Sequence, residues 1–315
     1  MENIITSKTQ LSVIIPVTER HDPVTELYNE YKKAIDETGL SYEVIYVIDG
    51  EHPEALEALT RLKESEKLTI ITLAKWFGEA TALNAAFSIA SGETIITLPA
   101  YQQIEPQDIP KLIHAQKDND MVLARRWPRK DSLLNRLQSR AFNFLLRFAT
   151  DLKIQDAGCS VRVFSRKIID EVQIYGDLHR FLPVIAHRQG FRVSQMDVAQ
   201  SDNDKHQRLY SPGIYLRRLL DLLTIFFLLK FTKKPLRFFG LVGMTLLSIG
   251  IFATLFIVGE RLFLDVALAG RPALILSSLL IVLGIQVIAI GLVGEIIIFT
   301  HAKDLKEYTI EKIIN

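Results

Sequence analysis

The sequence predicts a doubly wound α/β domain with a mostly parallel sheet, followed by an amphipathic helix and two C-terminal transmembrane helices. Three observations carry this expectation. Short β-branched runs alternate with amphipathic helical segments in the first half of the chain. Nearly all charge lies before residue 238. Two long apolar runs lie after it. A chain of 315 residues holds about two domain-sized units of roughly 150 residues each. The boundaries read as a globular domain over 1–213, a helix with a basic linker over 214–237, and a hairpin with a short tail over 238–315.

Each element has its own signal. Leu11–Val17 (LSVIIPV), Tyr42–Ile48 (YEVIYVI), Leu68–Leu73 and Thr94–Leu98 are short apolar runs that end at proline, glycine or polar residues, as buried parallel strands do. Val24–Thr38 places Leu27, Tyr31 and Ile35 on one helical face, and Pro53–Ser65 repeats Leu56, Leu59 and Leu62. Glu79–Ala90 is an alanine-rich helix closed by Ser91-Gly92. In open parallel sheets ligands bind beyond the carboxyl ends of the strands, so the loops Pro16–His21, Asp49–His52 and Pro99–Glu105 are expected to line one crevice. Further on, Asp120–Ala124 reads as a strand, Leu133–Leu152 as a helix and Asp156–Phe164 as a loop entering a strand. Arg166–Val172 reads as a short helix and Phe191–Val198 as a strand.

Ile214–Leu229 mixes Arg217, Arg218 and Asp221 with many Leu, Ile and Phe residues, which fits an interfacial helix or a helix buried against the globular domain. Phe238–Gly259 and Ala273–Thr300 are each long enough to cross a hydrocarbon core of about 30 Å at roughly 1.5 Å per residue. Lys230, Lys233, Lys234 and Arg237 precede the first span, and His301, Lys303, Lys306 and Lys312 follow the second. The connecting loop has Glu260, Arg261, Asp265 and Arg271 and no basic excess. The positive-inside rule then puts the globular domain and both termini of this integral membrane protein in the cytosol. The start, MENIITSKTQ, lacks the basic and apolar regions of a signal peptide. The single cysteine, Cys159, suits a reducing compartment and reads as a small buried residue. Lys+Arg of 37 against Asp+Glu of 36 argues against nucleic acid as a partner.

Several stretches carry a resemblance: VIIPV at Val13–Val17, VIDGE at Val47–Glu51, LAKWFGEATALNAAFSIASGE at Leu73–Glu93, QDAGCSVRVFSR at Gln155–Arg166 and GDLHRFLPVIAHRQGFRV at Gly176–Val193. RRLLDLLTIFFLLKFTKKPLRFFG at Arg217–Gly240 continues it, and two spans follow. In this order the chain resembles the family 2 glycosyltransferases that charge a polyprenyl phosphate, such as the dolichol- and undecaprenyl-phosphate sugar transferases. The resemblance implies a GT-A-like nucleotide-sugar transferase domain, a nucleotide-sugar donor, a polyprenyl phosphate acceptor and a membrane setting. A homo- or hetero-oligomer is compatible with it. In that family a divalent cation on an Asp-x-Asp loop meets the charge of the leaving diphosphate.

The chain departs from the family pattern at that loop. Where the family has Asp-Ala-Asp-Leu-Gln, this chain has Pro99-Ala100-Tyr101-Gln102-Gln103. Both carboxylates are gone, so no cofactor and no metal ligands are expected, and Glu105 lies too far along to substitute without reshaping the loop. Of two adjacent acids in the base- and ribose-holding segment, Ile48 and Asp49 leave one. An Arg-Asn pair has become Lys75-Trp76. The diphosphate clamp has become Ser201–Pro212, where Asp202 and Asp204 are expected to repel a diphosphate and Lys205 and Arg208 could assist.

The resemblance nominates Pro16, Val17, Glu19, Asp49, Lys75, Ala100, Tyr101 and Gln103 for the nucleotide sugar. It nominates Arg125, Arg126, Arg162 and Lys205 for phosphate or lipid, and Asp156 and Arg208 for catalysis. Ordinary readings stand beside these. Asp49 and Asp156 each precede or approach a glycine and could be turn-formers. His179 and Arg180 fit a structural polar network. Arg125–Lys130 could be a solvated face or one that meets anionic headgroups. Trp76 could be packing or a base platform, and Glu295 near the end of the second span could snorkel or meet the other helix. The lost acids also leave open a catalytically silent relative that serves as a binding or assembly partner in a lipid-linked glycan pathway. The topology is directly testable: reporters fused at Met1 and after Asn315 should both read as cytosolic, and an external signal from either would exclude the two-span arrangement.

Overall fold

The computed structural model describes residues 9–130, 154–156, 158–171, 181–204, 220, 235–264 and 272–301. The helices expected at Leu133–Leu152 and Ile214–Leu229 lie outside these residues apart from Leu220, as do His179, Arg180, Lys205 and Arg208. The described residues fall into two compact units, 9–220 and 235–301.

The first unit is built on a seven-stranded sheet. Its strands are β1 (Leu11–Val17), β2 (Tyr42–Asp49), β3 (Leu68–Leu73), β4 (Thr94–Thr97), β5 (Met121–Arg126), β6 (Arg162–Ser165) and β7 (Val193–Val198), in the order β3-β2-β1-β4-β6-β5-β7. All pairings are parallel except those of β6, which lies between β4 and β5 antiparallel to both. The mostly parallel sheet expected from the sequence is thus present. Every residue of β1 is buried, which a strand covered on both faces requires. The helices are α1 (Val24–Asp36), α2 (Pro53–Ser65), α3 (Glu79–Ile89), α4 (Ile109–Ala115), α5 (Arg166–Glu171) and α6 (Leu182–Arg188). Val24, Leu27, Tyr28, Tyr31, Ala34 and Ile35 form the buried face of α1, the i, i+3, i+4 stripe of an amphipathic helix. Helix α2 starts on Pro53, whose missing N–H costs nothing at a first turn.

Sheet direction positions the functional edge. The carboxyl ends of the six parallel strands share one edge with the amino end of β6, so the loop ahead of β6 arrives where the other strands end. The opposite edge is closed by a clasp. Ser12 Oγ donates to Glu43 Oε1 at 2.6 Å and accepts from the Gly92 N–H at 2.8 Å, while Glu43 also accepts from the Ser91 N–H at 2.6 Å.

The second unit is a helical hairpin, α7 (Pro235–Leu264) and α8 (Pro272–His301), both long and apolar enough to cross a membrane. Each helix extends beyond the apolar run that announced it. Leu241, Met244, Phe252, Phe256, Leu279 and Ile297 face outward and are exposed, an apolar exterior suited to lipid. The facing side is a seam of small residues. A Cβ on Gly243 would lie 2.7 Å from the Gly284 carbonyl, and one on Gly250 would lie 2.9 Å from the Ser277 carbonyl. Such approach lets dispersion act between helices where lipid removes the hydrophobic drive. Thr254 Oγ1 donates to Ser277 Oγ at 3.0 Å across the seam, and Glu295 Oε2 accepts from the Leu236 N–H at 3.4 Å. Glu295 therefore meets the first turn of the other helix, where backbone N–H groups have no partner within the helix itself.

The Ser12 clasp leaves no room for a side chain at residue 92, since a Cβ there would sit 2.5 Å from the Ser12 nitrogen and 2.7 Å from the Leu11 carbonyl carbon. Gly92→Ala should destabilise the first unit by about 1–3 kcal/mol, the usual cost of overpacking. Denaturant titration followed by tryptophan fluorescence measures it, because Trp76 and Trp127 both lie in this unit.

Candidate functional site

Three loops meet at the carboxyl edge. The loop after β4 holds Pro99–Glu105 and is fixed from every side. Tyr31 of α1 shares its hydroxyl between the carbonyls of Pro99 and Tyr101, both at 3.1 Å. The loop after β1 receives it through Asp22, whose N–H donates to the Ala100 carbonyl at 2.8 Å and whose carboxylate accepts from the Gln102 N–H at 2.8 Å. Gln103 turns inward. Its Oε1 accepts from the Ser160 N–H at 2.8 Å, and its Nε2 donates to the Tyr101 hydroxyl at 3.1 Å and to the Gly158 carbonyl at 3.4 Å. The loop after β7 pairs with the far side through the Glu105 N–H to the Ala199 carbonyl at 3.0 Å and a bridge between Ile104 and Gln200.

Beside this lies a buried ion cluster centred on Arg126, the last residue of β5. Arg126 Nε donates to Asp156 Oδ2 at 2.8 Å, one terminal nitrogen donates to Asp156 Oδ1 at 2.9 Å, and the other to Asp204 Oδ2 at 2.9 Å. The Arg126 backbone N–H also donates to Asp156 Oδ2, at 3.2 Å. Arg129 approaches Asp156 at 3.4 Å, Gln200 Nε2 donates to Asp204 at 2.9 Å, and Arg20 stands 3.7 Å from the other Asp204 oxygen. Burial alone would push Asp156 up, but the charge and hydrogen bonds of Arg126, with the charge of Arg129, hold it below the ordinary aspartate value. Nearby, burial pushes the Cys159 thiol up to about 12, so this cysteine is an inert core residue.

The nominated residues divide accordingly. Pro16 and Val17 are buried at the end of β1, Ala100 and Gln103 are buried in the β4 loop, and Tyr101 is partly exposed there. Glu19 and Lys75 are exposed, and Lys75 Nζ lies 5.2 Å over the Phe77 ring. Asp49 is fully buried, and its two oxygens accept the Phe77 and Gly78 N–H groups at 2.7 Å each, where α3 begins. Arg162 is buried at the start of β6. Arg125 pairs with Asp197 and Gln155 on one face of the sheet edge, while Arg126 turns inward to Asp156 and Asp204. Lys205 and Arg208 fall outside the described residues.

The expected repulsion by Asp202 and Asp204 needs correction, because each is met by a cation: Lys130 at 2.8 Å from Asp202 and Arg126 from Asp204. The sequence reading also missed Arg20. Its guanidinium lies 4.1 Å over the Tyr101 ring and donates to the Asn203 carbonyl at 3.2 Å. The available signal was its place in the loop after β1, already expected to line the crevice.

The resemblance implies a divalent cation at positions 99 and 101, and the residues present do not fit one. Pro99 offers only a carbonyl already engaged by Tyr31, and Tyr101 carries a guanidinium over its ring. No group of three or more His, Cys, Asp or Glu side chains able to hold a metal occurs among the described residues. Hard cations take oxygen donors, usually with carboxylate charge, which positions 99 and 101 do not present.

Comparison with known proteins agrees with this architecture. The family model for glycosyl transferase family 2 matches residues 12–173. The chain is 28% identical over 302 residues to the dodecaprenyl-phosphate galacturonate synthase of Rhizobium johnstonii, covering 94% of this chain and 89% of that protein. It is 29% identical over 311 residues to the undecaprenyl-phosphate 4-deoxy-4-formamido-L-arabinose transferase of Pectobacterium carotovorum, covering 97% and 94%. Among solved structures, glucosyl-3-phosphoglycerate synthase from Mycobacterium tuberculosis in complex with Mn2+ and UDP-glucose superposes with a TM-score of 0.54 at 11% identity, over 70% of this chain and 78% of that one. At that identity the likeness speaks to the fold alone.

The ion cluster yields a stability prediction with a definite pH sign. Arg126→Met should destabilise the first unit by roughly 3–5 kcal/mol, because it strands two buried carboxylates. In the wild type, Asp156 is held low, so its contribution is present above the unfolded aspartate pKa and lost as pH falls through the lower folded value. Without Arg126, burial dominates and the sign inverts. The variant's deficit should therefore shrink as pH falls from 7 toward the ordinary aspartate range, and denaturant titrations at stepped pH test this.

Proposed function

Because the chain belongs to glycosyl transferase family 2, we propose that it transfers a sugar from a nucleotide-sugar donor to a polyprenyl phosphate at a membrane. The observation that carries this reading is the extent of the similarity to polyprenyl-phosphate sugar transferases. It runs through 94% and 97% of the chain in the two relatives, and so includes the apolar hairpin as well as the α/β domain. A lipid acceptor and a membrane hairpin belong together, since the acceptor cannot leave the bilayer. On this reading the globular domain spans 1–213, the linking helix 214–237 and the hairpin with its tail 238–315. The basic flanks of the hairpin favour placing the globular domain and both termini in the cytosol.

The proposed chemistry is a displacement. A non-bridging oxygen of the lipid phosphate attacks the anomeric carbon and forms the new C–O bond. The bond from that carbon to the donor diphosphate breaks, and its electron pair leaves on the diphosphate. A phosphate monoester is already ionised near neutral pH, so the nucleophile needs little help from a base and positioning matters more. Asp156, with both oxygens engaged by Arg126, acts in this scheme as a positioning residue for the crevice wall. The donor lies at the carboxyl edge of the sheet, by the loops after β1 to β4 that hold Pro16, Val17, Glu19, Asp49, Lys75, Ala100, Tyr101 and Gln103. In this scheme Arg162 and Lys205 serve phosphate or lipid, and Arg208 serves catalysis.

The test is an assay of the detergent-purified chain with radiolabelled UDP- and GDP-sugars and undecaprenyl phosphate. Label should pass into the organic-extractable lipid for at least one donor, and only when the lipid phosphate is present. Absence of transfer from every donor, with the protein folded, would exclude the transferase and point to a non-catalytic relative.

A further inference from the structure

Resting on the transferase reading above, we infer that Arg20 supplies the positive charge that recognises the donor's diphosphate, in the place where the resemblance would put a metal ion. The need is electrostatic. Two phosphates must be held, and negative charge grows on them as the sugar leaves, so a fixed cation must stand at the crevice. Positions 99 and 101 hold no acid that could seat a divalent ion.

Of the cations nominated from sequence, Arg125 and Arg126 are poorly disposed for the task, and Lys75 belongs to the loop after β3, over the Phe77 ring. Arg126 is buried and faces Asp156 and Asp204, Arg125 is paired with Asp197, and Lys130 with Asp202. Arg20 is different in four respects. It belongs to the loop after β1, and its guanidinium rests on the ring of Tyr101, one of the two substituted positions. Its side chain retains 19% exposure, against 7% for Arg126. Its contact with Asp204 is long, 3.7 Å, whereas Arg126 holds that carboxylate at 2.9 Å. Finally, among the described residues the cluster sets three guanidiniums, Arg20, Arg126 and Arg129, against two carboxylates, Asp156 and Asp204. Of these three, Arg20 is the guanidinium that reaches the β4 loop.

The mounting suits the ligand. Stacking on an aromatic face fixes the plane of a guanidinium and leaves its edge for hydrogen bonding. The Asn203 carbonyl takes one donor from the side, at 3.2 Å. Asn203 is itself held, because its Nδ2 donates to Gln102 Oε1 at 2.6 Å, so the β4 and β7 loops both orient the cation. A planar fork of donors matches paired phosphate oxygens in a way a lysine cannot. Donor recognition on this basis needs no divalent ion.

The experiment is calorimetry on the full chain in detergent, with UDP and GDP as probes and uridine and guanosine as controls, first in EDTA and then with Mg2+. The wild type should bind at least one diphosphate in EDTA, with little gain from Mg2+. Arg20→Gln, which keeps length and polarity but removes charge, should weaken that diphosphate at least tenfold while leaving its nucleoside unchanged. Arg20→Lys should fall between, and Tyr101→Leu, which removes the stacking platform, should approach Arg20→Gln. Matched thermal unfolding of variants and wild type keeps folding out of the comparison. Equal diphosphate affinity in Arg20→Gln and wild type would overturn the role of Arg20, as would wild-type binding that requires Mg2+. Either result would leave the transferase reading intact if lipid-linked sugar still forms. Absence of any nucleotide binding by the folded wild type, with or without Mg2+, would remove both readings together.

Discussion

The buried pairing of Arg126 with Asp156 and Asp204 is the constraint on which the functional edge depends. Three separate chain segments contribute to it: the end of β5, the approach to β6 and the turn after β7. Bringing these charges out of water is costly, and their attraction offsets that cost only when nearly every lone pair and N–H is matched. Here Asp156 receives two guanidinium nitrogens and a backbone N–H from Arg126 alone, and Asp204 receives Arg126 and Gln200. Such a network contributes less to net stability than to selecting one arrangement of the loops, because any other arrangement strands a charge.

Sheet topology makes the network geometrically available. A purely parallel sheet would deliver only strand ends to the carboxyl edge. The antiparallel β6 delivers a strand beginning, so the stretch from Ile154 to Val161 reaches the same place and brings Asp156 with it. Its neighbours then support the β4 loop, since Ser160 and Gly158 hold the side chain of Gln103. One reversed strand thus connects the ion cluster to the loop that carries Pro99 and Tyr101.

Much of the fold was legible because its signals are local. β1, α2 and β3 run over the residues that their apolar pattern and bounding prolines or polar residues marked. Helices α4 and α6 were not assigned: both are short, and Pro110 and Pro183 in their first turns read as breaks when the helix around them is not known. The order of strands and the reversal of β6 are long-range facts with no local trace. The site was less legible still. Arg125 and Arg126 look alike within a basic run, yet successive strand residues point to opposite faces, and only the sheet says which face is buried. Asp49 was readable as a turn-former or a ligand, and the structure gives it another duty, receiving the N–H groups of Phe77 and Gly78, the two residues just before α3. Arg20 was hidden because its significance lies in a contact with Tyr101, eighty-one positions away.

The Tyr31 hydroxyl, shared between the carbonyls of Pro99 and Tyr101, has a thermodynamic consequence. Ordering a loop residue costs on the order of 1–2 kcal/mol of backbone entropy. Where an incoming ion or ligand does the ordering, that cost is subtracted from affinity. Here the groups that hold the β4 loop all belong to the chain: Tyr31, Asp22, Gln103 and the strand-like contact with Gln200. Much of the ordering entropy is therefore settled when the domain folds, and a ligand meets a loop that the chain itself has ordered.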